Sequence, residues 1–434
     1  MRCGCSSCPL PRRVRSVEAA PDSGGACHHS TIYANLLHIM WVGWLASTTM
    51  TLRRWITAFA ALALLLGLTT PAQAAQNPPP LTDLDGTPLV PRGLNNGHSA
   101  KESADAMAWT GPGDIAAEAD RIGSNSTRLL VFWSRLEPRP GHYDEHYLDA
   151  VAQRVAWYER AGMRVVLDMH QDMWGPAVAG SSPNNGAPAW ATHFDGLPAT
   201  VQDPWPLTYL QPGVTRAFDH FWGTTGRHPE LREHFTAAWR HLAQRFAGSP
   251  AVLGYDLFNE PWGGSVPWPL FERDLLGPLY QRLITEIRTV DQQHWIFVEP
   301  QALGVNQGLP SALPALHDPR TGAPRIAYAP HFYPTLLGAG QTYTGATKAL
   351  VRNTMRWWFD ANAATARRLG APMVVGEFGL DATKPGALEF VDDVLTEASR
   401  RGAGWWYWSN DPGGWGPYAP GGGWAPLADH LASG

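Results

Sequence analysis

Asn259-Glu260-Pro261 closes an apolar run from Ala251 to Phe258, and Glu377 closes a second run, Pro372 to Gly376, 117 residues later. A carboxylate at the end of a buried strand is costly to desolvate unless a partner or a reaction requires it there. Two such carboxylates are what hydrolysis of a glycosidic bond with retention needs. One acts as acid/base and the other as nucleophile, with carboxyls about 5–5.5 Å apart. Two carboxylates suffice for this chemistry, so no cofactor is expected. His170, His331 and Asp172 are possible metal ligands, but nothing near them matches zinc-ligand spacing, and no metal is expected.

The elements that must position this pair can be read from the hydrophobic pattern. Strand-like runs occur at 89–94, 126–132, 164–169, 252–258, 295–298, 326–329, 373–375 and 404–408. Helix-period stretches lie between them at 114–122, 145–161, 231–246, 270–290, 347–369 and 387–401. In the third of these, Leu231, Phe235, Ala238, Trp239, Leu242 and Phe246 mark one apolar face. Strands rich in Val, Ile and Leu alternating with helices predict a parallel sheet covered by helices. Eight such repeats predict an α/β fold of the closed (β/α)8 TIM-barrel type. In that fold, polar residues at the carboxyl ends of the strands mark the active face. Asn95-Asn96, Arg128, Asp168, His170, Asp172, Asn259-Glu260, Glu299, His331, Tyr333, Glu377 and Trp408-Ser409-Asn410 all fall at or near those ends.

The amino-terminal region reads differently. Arg53-Arg54, an apolar run from Trp55 to Leu68 and the small-x-small site Ala72-Gln73-Ala74 follow the order of a secretory signal peptide. Residues 50–74 are therefore expected to be that peptide, starting at Met50, with secretion as the destination. Residues 1–49 are expected to be a mis-called extension, residues 75–84 a Pro-rich linker, and residues 85–434 the barrel. All four cysteines (Cys3, Cys5, Cys8 and Cys27) lie upstream of Met50, so the mature chain is expected to rely on its core and not on disulfides. Residues 1–74 carry six Arg and two acidic residues, which leaves 27 basic and 36 acidic side chains in the remainder. That balance argues against nucleic acid as a partner, since its binding needs a basic footprint.

Residues 175–225 are too long for an ordinary connection and are rich in Pro, Gly and Trp. Following the third strand, they should rise over the catalytic face. Trp174, Trp190 and Trp205 are then candidates to stack on sugar rings, with local packing as the alternative role for each.

The runs Val166 to Asp172, Gly186 to Thr192 and Gly254 to Trp262 resemble glycoside hydrolase family 5, and within it the endoglycoceramidase branch. Trp295 to Pro300, Val375 to Gly379 and Trp405 to Asn410 continue the resemblance, which covers roughly residues 85–418. It implies a retaining mechanism with Glu377 as nucleophile and Glu260 as acid/base. Asn259 would bind the sugar 2-hydroxyl, while Arg128 and Tyr333 would support the nucleophile. His170 and His331 would fix sugar hydroxyls or the acid/base geometry, and Trp408 would floor the sugar site. Lys101, Asp172 and Trp205 match positions that contact the glycan in the branch. The implied substrate is a glycosphingolipid cut between sugar and ceramide, with contact to a lipid surface.

Two other readings use the same residues. One is an endohydrolase of β-glucan or β-mannan, acting on an oligosaccharide chain. The other is a non-catalytic carbohydrate- or lipid-binding remnant. An apolar trough for ceramide is expected from Trp262, Val266, Trp268, Leu270 and Phe271, directly after Glu260. The branch carries a β-sandwich after its barrel, whereas this chain ends 16 residues after Tyr418. A single catalytic domain is therefore expected, with an incomplete last helix that leaves apolar surface exposed.

Overall fold

The computed structural model describes residues 78–179, 182–203 and 205–434. The expected extension, the signal peptide, the four cysteines and the start of the linker lie outside the described residues.

The fold is built on parallel strands: β1 (Arg92–Asn96), β2 (Ser126–Val131), β3 (Arg164–Met169), β4 (Val252–Asp256), β5 (Trp295–Val298), β6 (Ile326–Tyr328), β7 (His331–Phe332), β8 (Val374–Phe378) and β9 (Gly404–Tyr407). Their order in the sheet is β6-β5-β4-β3-β2-β1-β9-β8-β7. The short β6 and β7 are two halves of one barrel strand, so eight strands form the ring. β6 pairs with β5 on one side, and Tyr328 bridges to Met373 on the other. β7 then pairs with β8, with His331 opposite Glu377. Pro330 separates the halves. It has no N–H to give to the ladder, but its carbonyl accepts from Gly376 N at 3.1 Å and keeps the barrel closed.

Every residue of β2, β4, β5 and β8 is buried, as expected for strands covered on both faces. Val166, Leu253, Phe297, Ala327, Val374 and Trp406 meet in one cluster drawn from six strands, which fills the lumen. Leu81 joins this cluster. Leu89 N donates to Leu81 O at 2.9 Å, and Trp295 Nε1 donates to Thr82 O at 2.8 Å. The last residues of the expected linker, 81–84, are thus part of the fold.

The helical layer comprises α1 (Pro112–Ile122), α2 (Glu145–Arg160), α3 (Pro212–Trp222), α4 (Glu230–Phe246), α5 (Gly277–Ile287), α6 (Gly345–Leu369), α7 (Ala387–Ser399) and α8 (Leu427–Ala432), with shorter turns between. The apolar face read for 231–246 is the buried face of α4. The helix read over 270–290 runs from Leu270 through a π turn at Glu272–Leu276 into α5. α3 lies inside the long excursion and was not anticipated there. Pro212 starts it, Gly223 (φ 78°) ends it, and Val214, Ala217, Phe218 and Phe221 are buried. Among the described residues no helix is long and apolar enough to cross a membrane.

The expectation of an exposed apolar terminus is not met. Leu427, Ala428 and Leu431 of α8 are all buried. α8 packs against α7 and α1, which cover its apolar face.

Candidate active site

The site is organised around one guanidinium. Arg128, in the middle of β2, is fully buried at the top of the lumen. Its Nη1 lies 2.8 Å from Glu377 Oε1 on β8 and donates to Asn95 Oδ1 on β1 at 3.0 Å. Its Nε donates to Asp256 Oδ2 on β4 at 2.7 Å. Its Nη2 reaches Asp168 Oδ1 on β3 at 2.9 Å, Glu299 Oε1 after β5 at 2.7 Å and Asn259 Oδ1 at 2.8 Å. One cation on β2 thereby ties together the ends of five other strands. Burial disfavours its charge, but Asp168, Asp256, Glu299 and Glu377 outweigh that and raise its pKa well above the ordinary value.

Four buried carboxylates exceed one cation, and the excess appears in their neighbours. Burial pushes Asp256 up, with Arg128 pulling it down and Asp168 adding to the rise. Burial also pushes Glu299 well above the ordinary carboxylic range, against the pull of His331. His331 Nε2 lies 3.2 Å from Glu299 Oε1. Burial opposes charge on the His331 ring, but Glu299 and Glu377, with hydrogen bonds to Glu260 and Glu299, hold its pKa well above the usual value.

Glu260 follows β4, and Glu377 is the penultimate residue of β8. One carboxylate oxygen of each and a ring nitrogen of His331 all lie within 4.8 Å of one another. His331 Nδ1 is 3.0 Å from Glu260 Oε1 and 3.6 Å from Glu377 Oε2. Tyr333 donates its hydroxyl to Glu377 Oε2 at 2.9 Å. Burial, then the charges of Glu377 and Glu260, push the Tyr333 hydroxyl well above its ordinary pKa, so it remains a donor. Glu260 itself has φ +44°, a left-handed conformation unusual for a residue with a Cβ. Gln171 Nε2 donates to its carbonyl at 3.0 Å, and its own N–H donates to Glu299 Oε2 at 2.8 Å. These bonds hold the turn that aims the side chain into the cavity.

A polar group stands at the ends of β1, β3 and β9. Lys101 Nζ is 2.5 Å from Asp172 Oδ2 and 4.6 Å from the centroid of the Trp408 ring. Burial works against the Asp172 carboxylate, but Lys101 and His170 outweigh it and hold the carboxyl far below its usual range. His170 stacks on Trp408 at 5.5 Å, and its Nδ1 lies 2.7 Å from Asp168 Oδ2. Burial and Lys101 oppose protonation of His170, but Asp168 and Asp172 prevail and raise its pKa. Asn259 Nδ2 donates to Gln171 O at 2.8 Å and approaches His170 Nε2 at 3.5 Å.

Glu260, Glu377, His170, Tyr333, Lys101, Asp172, Trp205 and Trp408 line one cavity of about 570 Å³. Trp190 does not. It packs edge-on against Trp133 and His234 and donates Nε1 to Glu137 O at 2.9 Å, in the wall of the excursion. Its role is packing. Trp174 is likewise buried among Trp133, Phe218 and Phe221.

The segment after Glu260 is also absent from the cavity wall. Phe271 is buried against Trp222, and Trp222 Nε1 donates to Trp262 O at 2.7 Å. Gly263 and Gly264 turn the chain away, and a Cβ at Gly264 would meet Asp219 at 2.4 Å. The apolar lining comes instead from Leu303 after β5, Pro334 and Leu337 after β7, and Leu380 after β8. These three strand ends are consecutive around the barrel.

Several site residues had no motif to announce them. Asn306 donates Nδ2 to Glu260 Oε1 at 2.8 Å, and Tyr209 and Gln307 line the cavity. Asp256 had a readable signal, a charged residue inside a fully apolar strand.

Among the described residues three groups have ligand atoms close enough for a cation. Asp168, Asp256 and Glu299 already hold the Arg128 guanidinium. Glu260, His331 and Glu377 are the carboxylate pair and its histidine. The third group, His193, His228 and Glu230, lies outside the cavity, and its two rings stack at 3.6 Å and 6°.

Residues 83–414 match the family model described as cellulase (glycosyl hydrolase family 5). Endoglycoceramidase I of Rhodococcus hoagii is 33% identical over 354 residues, 76% of this chain and 68% of that protein. The structure of endo-glycoceramidase II from Rhodococcus sp. with ganglioside GM3 aligns with a TM-score of 0.79 at 49% identity, over 82% of this chain and 81% of that one. The same protein's lactosyl-enzyme intermediate aligns with a TM-score of 0.77.

Proposed function

This chain belongs to glycosyl hydrolase family 5, and we propose that within it the protein is a retaining endo-β-glycosidase that cuts glycosphingolipids between oligosaccharide and ceramide. The observation that carries the lipid part is the set of apolar side chains that the β5, β7 and β8 loops contribute to the cavity, set among Gln307, Gln341, Asp381 and Lys384. Lys101, Asp172 and Trp408 offer hydrogen bonds and an aromatic face from β1, β3 and β9. Leu303, Pro334, Leu337 and Leu380 offer an apolar surface from β5, β7 and β8. Glu260 and Glu377 open into the same space. An amphiphile with a sugar head and a hydrocarbon body would use both kinds of surface. The names of the relatives support the same substrate class.

In this reading Glu377 attacks the anomeric carbon while the bond to the leaving oxygen breaks. Glu260 gives that oxygen its proton, so ceramide departs as a neutral alcohol. Glu260 then takes a proton from water, whose oxygen attacks the anomeric carbon and frees Glu377. Arg128 and Tyr333 each hold one oxygen of Glu377. Asn259, fixed by Arg128 and Gln171, stands beside the sugar 2-hydroxyl position. The lactosyl-enzyme intermediate trapped in the Rhodococcus sp. relative supports a covalent step.

Trp205 and Trp415 line the cavity and are exposed, as are nearby Leu207 and Leu336. This rim supports contact with a lipid surface. The signal pattern of residues 50–74 supports secretion, which amino-terminal sequencing of protein from a culture supernatant would test.

The test of the substrate is to incubate the protein with detergent-dispersed glycosphingolipid and, separately, with soluble β-glucan and β-mannan, and to follow the products by mass. Free ceramide plus intact oligosaccharide is expected. Oligosaccharides from the polysaccharides alone would move the protein to an endoglucanase or endomannanase reading.

A further inference from the structure

Glu260 Oε1 has two partners: His331 Nδ1 at 3.0 Å and the Asn306 side-chain amide, which donates to it at 2.8 Å. No protein donor among the described residues reaches Oε2. Asn306 is buried at the end of a short kinked turn after β5, where Leu303 leaves helical geometry and Gly304 has φ +106°. The main chain of Asn306 holds a residue that touches the other carboxylate. Its carbonyl accepts from Tyr333 N at 3.1 Å, and the Tyr333 hydroxyl donates to Glu377. One residue therefore touches the acid/base directly and holds the donor that touches the nucleophile.

The loop that carries Asn306 is clasped at both ends by one buried carboxylate. Glu272 accepts from Gln301 N at 2.8 Å at the start of the loop, and from Ser311 Oγ at 3.2 Å and Ala312 N at its close. Glu272 opens the π turn before α5, and such turns recur at functional sites. Arg368 Nη2 adds a bond to Ser311 O at 3.1 Å. With both ends fixed to one acid, the span between them, and with it Asn306, is held by the π turn that carries Glu272.

We propose that Asn306 is a positioning residue for Glu260: with His331 it occupies Oε1, so that Oε2 is the oxygen that delivers the proton to the leaving group. Glu272 holds the loop that places it. This rests on the reading of Glu260 as acid/base. The step it serves is the transfer of the Oε2 proton to the departing oxygen as the carbon–oxygen bond breaks and its electron pair goes to that oxygen.

The test uses two leaving groups. Ceramide needs protonation to leave, whereas dinitrophenolate does not. Asn306→Asp keeps the size of the side chain and replaces the donor by an acceptor. Asn306→Ala removes the donor without adding charge and serves if the first variant does not fold. Each is expected to lose about 10- to 100-fold in kcat/KM on lactosylceramide. On dinitrophenyl β-lactoside the loss should stay below about threefold, because the proton transfer is then bypassed. A merely structural role would lower both equally, and an equal loss on the two substrates, or no loss on either, would overturn the proposal. Glu260→Gln is measured in parallel and should show the same split more strongly. If Glu260→Gln loses both substrates equally, the acid/base reading itself fails. If only the Asn306 variants lack the split, the reading stands and the proposal falls.

Discussion

A carboxylate oxygen of Glu260 and one of Glu377 lie within 4.8 Å of each other, although 117 residues separate them in the chain. The barrel brings the end of β4 and the end of β8 to one mouth, and His331 Nδ1 sits between them. Direct attack by a carboxylate goes with carboxyls about 5–5.5 Å apart, and two oxygens within 4.8 Å are compatible with that. The wider spacing of an inverting enzyme must leave room for a water.

The two carboxylates should therefore answer an external nucleophile differently. Glu260→Ala with azide should release a β-glycosyl azide, because azide displaces Glu377 from the glycosyl-enzyme. Glu377→Ala with azide should release the α-azide, because azide takes the place of the missing nucleophile. Without azide, Glu260→Gln should lose about 10²- to 10⁴-fold in turnover. NMR of the azide products checks the assignment, and the same anomer from both variants would reverse or cancel it.

Arg128 stabilises the barrel as well as the site. Its removal leaves Asp168, Asp256, Glu299 and Glu377 crowded without their shared cation. Breaking a buried ion pair from one side costs about 3–5 kcal/mol. Arg128→Met should lower the urea unfolding free energy by about that amount and abolish activity. A variant that unfolds at the wild-type midpoint would show that the carboxylates find other partners.

His331 should carry a proton at neutral pH, since Glu299 and Glu377 hold its pKa well above the usual value. Its unfolded pKa is about 6.5. The folded state then binds a proton that the unfolded state gives up. The resulting stability is fully present below about pH 6.5 and is lost as pH rises through the higher folded pKa. The unfolding free energy should fall with rising pH in that window, and the fall should be weaker in His331→Asn. Nitrogen NMR of the His331 ring at pH 7.5 should show both nitrogens protonated. A neutral ring at that pH would contradict the arrangement.

The apolar wall should discriminate between lipid and soluble substrates. Leu303→Asp places a charge where hydrocarbon would lie, and a charge facing hydrocarbon is disfavoured. Its kcat/KM on lactosylceramide should drop about tenfold or more, with activity on dinitrophenyl β-lactoside nearly unchanged. Equal effects on the two substrates would place the lipid elsewhere.

Much of this site could be read from the chain because a charged residue ending an apolar strand is a local signal. Glu260, Glu377 and His331 each carry it, and Arg128 stands out as a charge inside the buried β2. The errors came where residue type allows two roles or where closeness in sequence is not closeness in space. Trp190 can stack on a sugar or on Trp133, and only the fold decides. Trp262 to Phe271 follow Glu260 directly, yet the chain turns away at Gly263-Gly264: Phe271 enters the core, Trp262 and Val266 pack against its edge, and Leu270 is exposed outside the cavity. α3 was hidden by the Pro- and Gly-rich stretch around it, although Pro212, the spacing of Val214, Phe218 and Phe221, and Gly223 together spell a helix. Asn306 had no local signal, because its partner lies 46 residues away and depends on where Glu272 clasps the loop.

The measurement that tests the account most directly is a proton NMR time course of lactosylceramide hydrolysis in detergent. The account predicts intact lactose appearing first as its β anomer, with ceramide as the other product, followed by slow conversion to the α anomer. α-Lactose as the first product would contradict the retaining pair, and free galactose released ahead of lactose would contradict cleavage at the lipid.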